Sequence, residues 1–154
     1  MHFRRQRDIL LTLQERRSRL TLARRLLSKD AALTAHTIAA ELGGLAPQGR
    51  RTITHDNGGE FARHGDVTDQ IGLRAFFCDP HSPWQRGTNE NTNGLLRQYF
   101  PKGTDLSVHS ETELAAVALA LNARPRKTLD WRTPAEALEA FLRLANTTTV
   151  ATTG

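Results

Sequence analysis

Two carboxylates, Asp56 and Glu90, each lie inside a polar, glycine-rich stretch of the chain. The first stands between Thr-His and Asn-Gly-Gly-Glu-Phe, the second follows Gln-Arg-Gly-Thr-Asn, and 33 residues separate them. Phosphodiesters resist attack because the phosphate is anionic and the leaving alkoxide is poor, and two divalent metals about 3.5–4 Å apart overcome both difficulties. Hard cations such as Mg²⁺ prefer carboxylate oxygens and keep several waters. The pattern predicts a Mg²⁺ or Mn²⁺ site with Asp56 and Glu90 as ligands.

Each carboxylate also has a plainer interpretation when it is taken alone. Asp56 is typical of an Asx turn that stabilises the residues after it, and Glu90 is favourable near the amino terminus of a helix. The residues after Glu90 favour the chemical interpretation. Asn93 and Arg97 lie three and seven residues further on, and therefore on the same helix face. A carboxylate, an amide and a guanidinium on one face predict a stripe that binds phosphate. The other faces of this helix carry its expected core residues, Leu95, Leu96 and Tyr99.

The pattern of apolar residues predicts the elements that must position these two stretches. A strand over Thr52–His55 delivers Asp56 at its carboxyl end, and a helix from about residue 88 to residue 100 carries Glu90. The other predicted elements are a hairpin over 9–14 and 20–27 with an exposed charged turn over 15–19, a helix capped by Ser28, a short helix that begins within 60–64, a strand over 73–78, and helices over 111–123 and 134–144. The last two helices each begin with a capping-box pattern, Ser110 with Glu113 and Thr133 with Glu136. Strands that alternate with helices predict an α/β fold with a mixed sheet.

The length of 154 residues predicts a single domain. We expect it to span residues 1–144 and to be followed by a disordered, Thr-rich tail over 145–154, because that stretch lacks periodicity. The single cysteine, Cys78, excludes an internal disulfide, is typical of a reducing cytosol, and is expected to be a small buried side chain. No apolar run approaches the ~20 residues of a membrane span, so a cytoplasmic location is predicted.

The charge balance indicates a polyanionic partner. Lys and Arg number 21 against 16 Asp and Glu, which gives a formal net charge of +5, and such a balance favours DNA or RNA. Arg124, Arg126 and Lys127, with Arg132 close behind, form a basic cluster that is predicted to contact DNA phosphates. A solvated surface without a partner is an equally good interpretation of the cluster alone.

Long stretches of the chain, taken together, resemble one known family. The stretches are 54–61, 82–94, 96–105, 122–129 and 133–137. They are similar to the catalytic core of bacterial transposases of the insertion sequence thirty family, within the retroviral-integrase-like superfamily. The resemblance implies a ribonuclease H-like fold, a two-metal site in the intact enzyme, and DNA, as transposon ends and target, for a partner. It also implies that Arg97 contacts phosphate. Self-association is expected on a separate ground, because strand edges left exposed by a missing strand invite other chains.

The chain departs from the family at its amino end. Members of the family have a first catalytic Asp in a Trp-Glu-x-Asp-Leu segment on the first strand, and that segment is absent here. The expectation is therefore a fold whose first strand is largely missing, and a chain that is inactive by itself. Two alternatives remain open: a non-catalytic remnant that binds DNA, and a metal-dependent nuclease that recruits Asp8 as the third carboxylate.

Overall fold

The first element of the computed structural model, which describes residues 8–55, 57–79 and 87–152, is an antiparallel hairpin. Strand β1 (Ile9–Gln14) pairs with β2 (Thr21–Leu26), in a register that places Ile9 opposite Leu26. Leu11 and Leu26 turn inward and are buried. The predicted hairpin is confirmed.

The turn of this hairpin is held by Glu15, although the sequence suggested only an exposed charged loop. Its carboxylate accepts hydrogen bonds from the backbone N–H groups of Arg17 at 3.0 Å and Ser18 at 2.5 Å, and Ser18 is buried. Partial burial by itself would raise the pKa of Glu15. The hydrogen bonds from the Ser18 hydroxyl and from these two backbone groups outweigh it, so that the pKa lies below its ordinary value.

Helix α1 (Ala31–Gly43) follows the hairpin and buries one face that includes Ala35 and Ile38. Its amino-terminal cap is Asp30, whose side chain accepts from the Leu33 N–H at 2.8 Å. The prediction that Ser28 caps this helix was wrong. The carboxylate lies one residue before the first helical position, where it reaches the free N–H groups directly, and the Ser28 hydroxyl accepts from the backbone of Asp30 instead.

The second sheet consists of two parallel strands that are connected by a helix. Strand β3 (Thr52–His55) pairs in parallel with β4 (Arg74–Phe77), and helix α2 (His64–Ile71) connects them. The short helix expected to begin within 60–64 begins at His64 as α2, after a 3₁₀ turn over Gly59–Phe61. Cys78 follows β4 and is buried, as expected.

Three helices complete the described chain: α3 (Gly87–Leu96), α4 (Glu111–Asn122) and α5 (Pro134–Thr152). Both predicted capping boxes are present. Ser110 and Glu113 satisfy each other's backbone at the start of α4, and Thr133 and Glu136 do so at the start of α5. Helix α5 continues past the predicted end at residue 144, so the segment predicted as a disordered tail is helical to Thr152. None of the helices in the described part of the chain is both long and apolar enough to span a membrane.

The described strands form two separate two-stranded sheets, β1–β2 and β3–β4, where the sequence predicted one mixed sheet. Between them lies a cavity of about 770 Å³, here called the inter-sheet groove, lined by every residue of β1 and of β3. Below it, Leu11 and Leu26 from the first sheet meet Ile38 of α1, Val67 of α2 and the buried Leu73 in one core cluster. The two sheets therefore share a core and share no strand pairing.

The orientation of β1 and β3 across the groove follows from their contacts with α5. The Arg17 guanidinium, just after β1, lies 4.6 Å from the centroid of the Phe141 ring. A Cβ at Gly49, just before β3, would come within 2.9 Å of Leu142 Cδ2. Because the end of β1 and the beginning of β3 meet the same stretch of helix, the two strands run in opposite directions.

Asn122, the last residue of α4, fastens that helix to the hairpin. Its side-chain oxygen accepts from the Thr21 N–H at 2.9 Å, its side-chain NH₂ donates to the Thr21 carbonyl at 2.8 Å, and both residues are buried. Sequence reasoning missed this contact because it joins residues 101 positions apart.

We expect Asn122→Ala to lower the free energy of unfolding by about 2–4 kcal/mol, because two buried backbone groups lose their partners and each costs about 1–3 kcal/mol. Denaturant melts of the two proteins measure the difference. Asn122→Asp, which keeps an acceptor and loses the donor, should fall between them. The exposed Asn91→Ala on α3 is the matched control and should melt like the parent.

Candidate functional site

The turn after β3 is fixed from both sides. His55, the last residue of β3, is buried and stacks on Phe61 with ring centroids 4.5 Å apart. On the other side, the Asn57 side chain donates to the Cys78 carbonyl at 3.0 Å and so ties this turn to the end of β4. Asp56, the predicted catalytic carboxylate between them, lies outside the described residues.

Glu90 is exposed in the first turn of α3 and lines the inter-sheet groove together with Asn93. The helix is held against β1 by polar contacts. Thr12 donates to Asn93 Oδ1 at 3.3 Å, and the Gln14 side chain donates to the Thr92 hydroxyl. His55 lines the same groove, so the structure brings Glu90 and the end of β3 to one cavity.

The remainder of α3 separates into a buried side and an exposed side. Leu96 is buried as predicted, and Arg97 is exposed, as a residue that contacts phosphate must be. Tyr99 was expected in the core, and this was wrong. It is 37% exposed, and it receives a hydrogen bond from Arg124. The helix ends at Leu96 rather than near Phe100, and Tyr99 therefore leaves the periodicity on which the core assignment rested.

The donor atoms at this cavity suit a hard cation in part. Glu90 and Glu60 bring carboxylates to the inter-sheet groove, and Asn93 brings an amide, which are oxygen ligands of the kind that Mg²⁺ prefers. Within residues 8–55, 57–79 and 87–152, no group of three His, Cys, Asp or Glu side chains stands close enough to hold a metal ion.

Asp8, the alternative third carboxylate, is engaged elsewhere. Its Oδ2 atom lies 3.8 Å from Nε of Arg25, whose Nη1 donates to the carbonyls of Leu106 and His109. Glu111 approaches the same guanidinium at 3.6 Å. Asp8 thus lies at the junction of the hairpin with the segment before α4, and it is not among the residues that line the inter-sheet groove.

The predicted basic cluster lies between α4 and α5 and has unequal members. Lys127 is exposed, and the Arg124 guanidinium lies 5.6 Å from the Tyr99 ring centroid. Arg126 is half-buried, and its Nη2 donates to the Leu121 carbonyl at 3.3 Å. Burial, and then the neighbouring charge of Arg124, lower the pKa of Arg126. The cluster therefore offers Arg124 and Lys127 to a partner more freely than Arg126.

Sequence reasoning overlooked a second group of guanidinium side chains. Arg50, Arg51 and Arg74 line a cavity of about 390 Å³ at the beginning of the two parallel strands. Arg51 and Arg74 are exposed, whereas Arg50 donates to the Leu45 and Ile71 carbonyls. The Gly-Arg-Arg run before β3 was the available signal, but only the pairing of β3 with β4 brings Arg74 beside it.

Curated relatives match most of this chain. It is 52% identical over 130 residues to the transposase for insertion sequence element IS1086 of Cupriavidus metallidurans, a match that covers 84% of this chain and 38% of that protein. It is 47% identical over 137 residues to transposase InsI for insertion sequence element IS30C of Escherichia coli, covering 89% of this chain and 36% of that protein. The chain thus spans little more than a third of the length of either relative.

Solved structures give a likeness of fold. A chain in the cryoEM structure of the simian T-cell lymphotropic virus intasome in complex with PP2A regulatory subunit B56 gamma has a TM-score of 0.62 and 18% sequence identity. The likeness covers 86% of this chain and 52% of that one. It supports a mixed α/β, integrase-like fold. No protein-family model matches the sequence.

Proposed function

Because this chain belongs to the IS30 family of transposases over the segment that it shares with them, we propose that it forms part of a catalytic core for DNA transposition. In this proposal the fold is ribonuclease H-like, and the core carries out metal-dependent strand cleavage and strand transfer when it is complete. The observation that carries the proposal is that Glu90 lines the same groove as His55, which immediately precedes Asp56.

Asp56 and Glu90 are the residues that would hold Mg²⁺ or Mn²⁺. A bound divalent ion would activate the attacking oxygen and stabilise the leaving one. The chain's own contribution is position. The Asn57 contact with Cys78 fixes the turn after β3, and the contacts of Thr12 and Gln14 with α3 fix the helix that carries Glu90. Asn93 and Arg97 would orient a phosphate next to the carboxylates.

A non-catalytic role in DNA binding is the second candidate, and the basic surface is the observation that favours it. Arg124 and Lys127 at one place, and Arg51 and Arg74 at another, present exposed cationic side chains to a polyanion. They need no metal to do so. The third candidate, a nuclease that recruits Asp8, has less support, because Asp8 faces Arg25 instead of the inter-sheet groove.

We predict that the chain binds duplex DNA weakly and without sequence preference, with an affinity that falls steeply as salt rises. The reason is that phosphate contacts release counterions, and that contacts to phosphate carry no direct sequence information. Fluorescence anisotropy with two unrelated duplexes, each over a range of salt concentrations, measures this.

Lys127→Ala and Arg124→Ala should each reduce the slope of log affinity against log salt by about one. Lys29→Ala is the matched control, because it removes an exposed lysine from the turn before α1, and it should leave the slope nearly unchanged. Equal affinity at low and moderate salt would contradict the proposed binding, as would a strong preference for one of the two duplexes.

A further inference from the structure

The loop between α4 and α5 exposes a tryptophan to solvent, and the backbone there has an unfavourable conformation. Trp131 is 68% exposed. Asp130 and Trp131 have φ values of 54° and 65°, in the left-handed region that side chains with a Cβ seldom adopt. Two consecutive residues with positive φ, one of them a large aromatic, are energetically unfavourable. Such strain indicates that the exposed position of the Trp131 side chain has a function.

Hydrogen bonds within the loop fix this conformation. The Arg126 N–H donates to the Arg132 carbonyl at 3.0 Å, and the Arg126 carbonyl accepts from Leu129 at 3.0 Å and from Trp131 at 2.9 Å. Leu129 is buried beneath the loop as its anchor. Because the backbone on both sides of Trp131 is closed into this ring of bonds, the indole is held outward.

Positively charged residues flank Trp131 in the sequence. Within residues 124–132 the cationic side chains are Arg124, Arg126, Lys127 and Arg132, against a single carboxylate, that of Asp130. A second exposed aromatic, Tyr99, lies against the Arg124 guanidinium. A partner for this surface must therefore offer negative charge and a flat apolar face together.

We propose that Trp131 is a stacking platform for an unpaired nucleic-acid base, whose flanking phosphates contact Arg124, Lys127 and Arg132. Bases inside a duplex are covered on both faces by their neighbours, so a single-stranded segment or an unpaired end is the ligand with a free face. Aromatic side chains in a basic setting bind such segments by stacking, with little dependence on sequence. The inference rests on the DNA binding proposed above and specifies which form of DNA this loop binds.

The test compares a duplex that carries a short single-stranded tail with a blunt duplex of the same length. Trp84 and Trp131 are the two tryptophans of the chain, so a Trp84→Phe background makes fluorescence report on Trp131. We expect the tailed duplex to quench this fluorescence and the blunt duplex to leave it nearly unchanged. Trp131→Ala should weaken binding of the tailed duplex by about tenfold. Trp131→Phe should retain most of the affinity.

Trp131→Gly separates a binding role from a structural one. Glycine adopts positive φ without strain, so this variant should melt at the same temperature as the parent or higher, while it loses affinity for the tailed duplex as the alanine variant does. A lower melting temperature with unchanged affinity would overturn the proposal and make Trp131 a structural residue. Unchanged affinity in both variants would overturn it too. Failure to bind the blunt duplex at low salt would contradict the proposed function instead.

Discussion

Filling the inter-sheet groove with an added strand is expected to raise the free energy of unfolding by about 3–6 kcal/mol. Among the described strands, β1 and β3 are each paired along one edge only, and both strands line the groove. A guest strand gains hydrogen bonds on both sides at about 0.5–1.5 kcal/mol each, and it buries apolar side chains over the core. The ordering of the guest residues offsets part of this gain.

The size and the orientation of the groove define the guest. The guest is a strand of about five residues, because β1 has six residues and β3 has four. Because β1 and β3 run in opposite directions, the guest must pair in parallel with one of them and antiparallel with the other.

A strand with the Trp-Glu-x-Asp-Leu pattern that the family resemblance implies is the guest, fused to the amino end of this chain. Denaturant melts compare the fusion with the parent and with a Gly/Ser extension of equal length. A fusion with proline at every second position is the sharper control, because proline removes backbone donors and keeps most of the apolar surface. Equal and cooperative transitions in all four proteins would show that the strand has been assigned to the wrong place.

The same fusion should reduce self-association. Exposed strand edges pair with other chains, so we expect the parent to sediment partly as oligomers and the fusion to sediment as a monomer.

The second large effect that we expect is the absence of catalytic activity on DNA in this chain by itself. The chain by itself should neither cleave nor join DNA, because two carboxylates without a third hold a metal pair poorly. Mn²⁺ binding should be weak, and Glu90→Gln or Asp56→Ala should reduce it below detection by electron paramagnetic resonance. Metal binding can thus be followed even where there is no activity to measure.

The fusion that carries the Trp-Glu-x-Asp-Leu strand should bind Mn²⁺ more tightly and gain metal-dependent cleavage, and Glu90→Gln should abolish that cleavage completely. The matched control is Glu139→Gln, since Glu139 is an exposed carboxylate on α5 paired with Arg143. Strand transfer by the unmodified chain, abolished by Asp56→Ala, would falsify the expectation. Its abolition by Asp8→Ala as well would favour the nuclease alternative.

Local signals in the sequence predicted most of the elements, and they did so where local physics decides the structure. Alternating apolar residues placed β1, and the Ser110–Glu113 box placed the start of α4. The predictions that were wrong depend on which of several neighbouring residues begins or ends a helix. Asp30 replaces Ser28 as a cap because it lies closer to the free N–H groups, and Tyr99 leaves the core because α3 ends before it.

Long-range geometry was beyond the reach of these signals. Nothing near Asn122 in the sequence indicates that its side chain bonds to Thr21. Nothing near Trp131 indicates its left-handed backbone. Neither residue type has a strong preference for the role that it takes here. For the candidate site, the sequence identified Glu90 and Asn93, which the structure brings to one cavity. Asp56 and the metal remain predictions.

Helix α1 has a consequence for any chemistry that spans the two sheets. Its Ala35 and Ile38 lie in the cluster that holds Leu11 of β1, and Ile53 of β3 packs against that same cluster. Among the described residues, no strand is bonded to both sheets. The distance between β1 and β3 is therefore set by the size of the side chains that pack in this cluster. The small side chain of Ala35 allows the two sheets to pack close to helix α1, and a bulkier residue at this position would push the sheets apart. The alignment of Glu90 with the end of β3 therefore depends on a helix that contributes no reactive group.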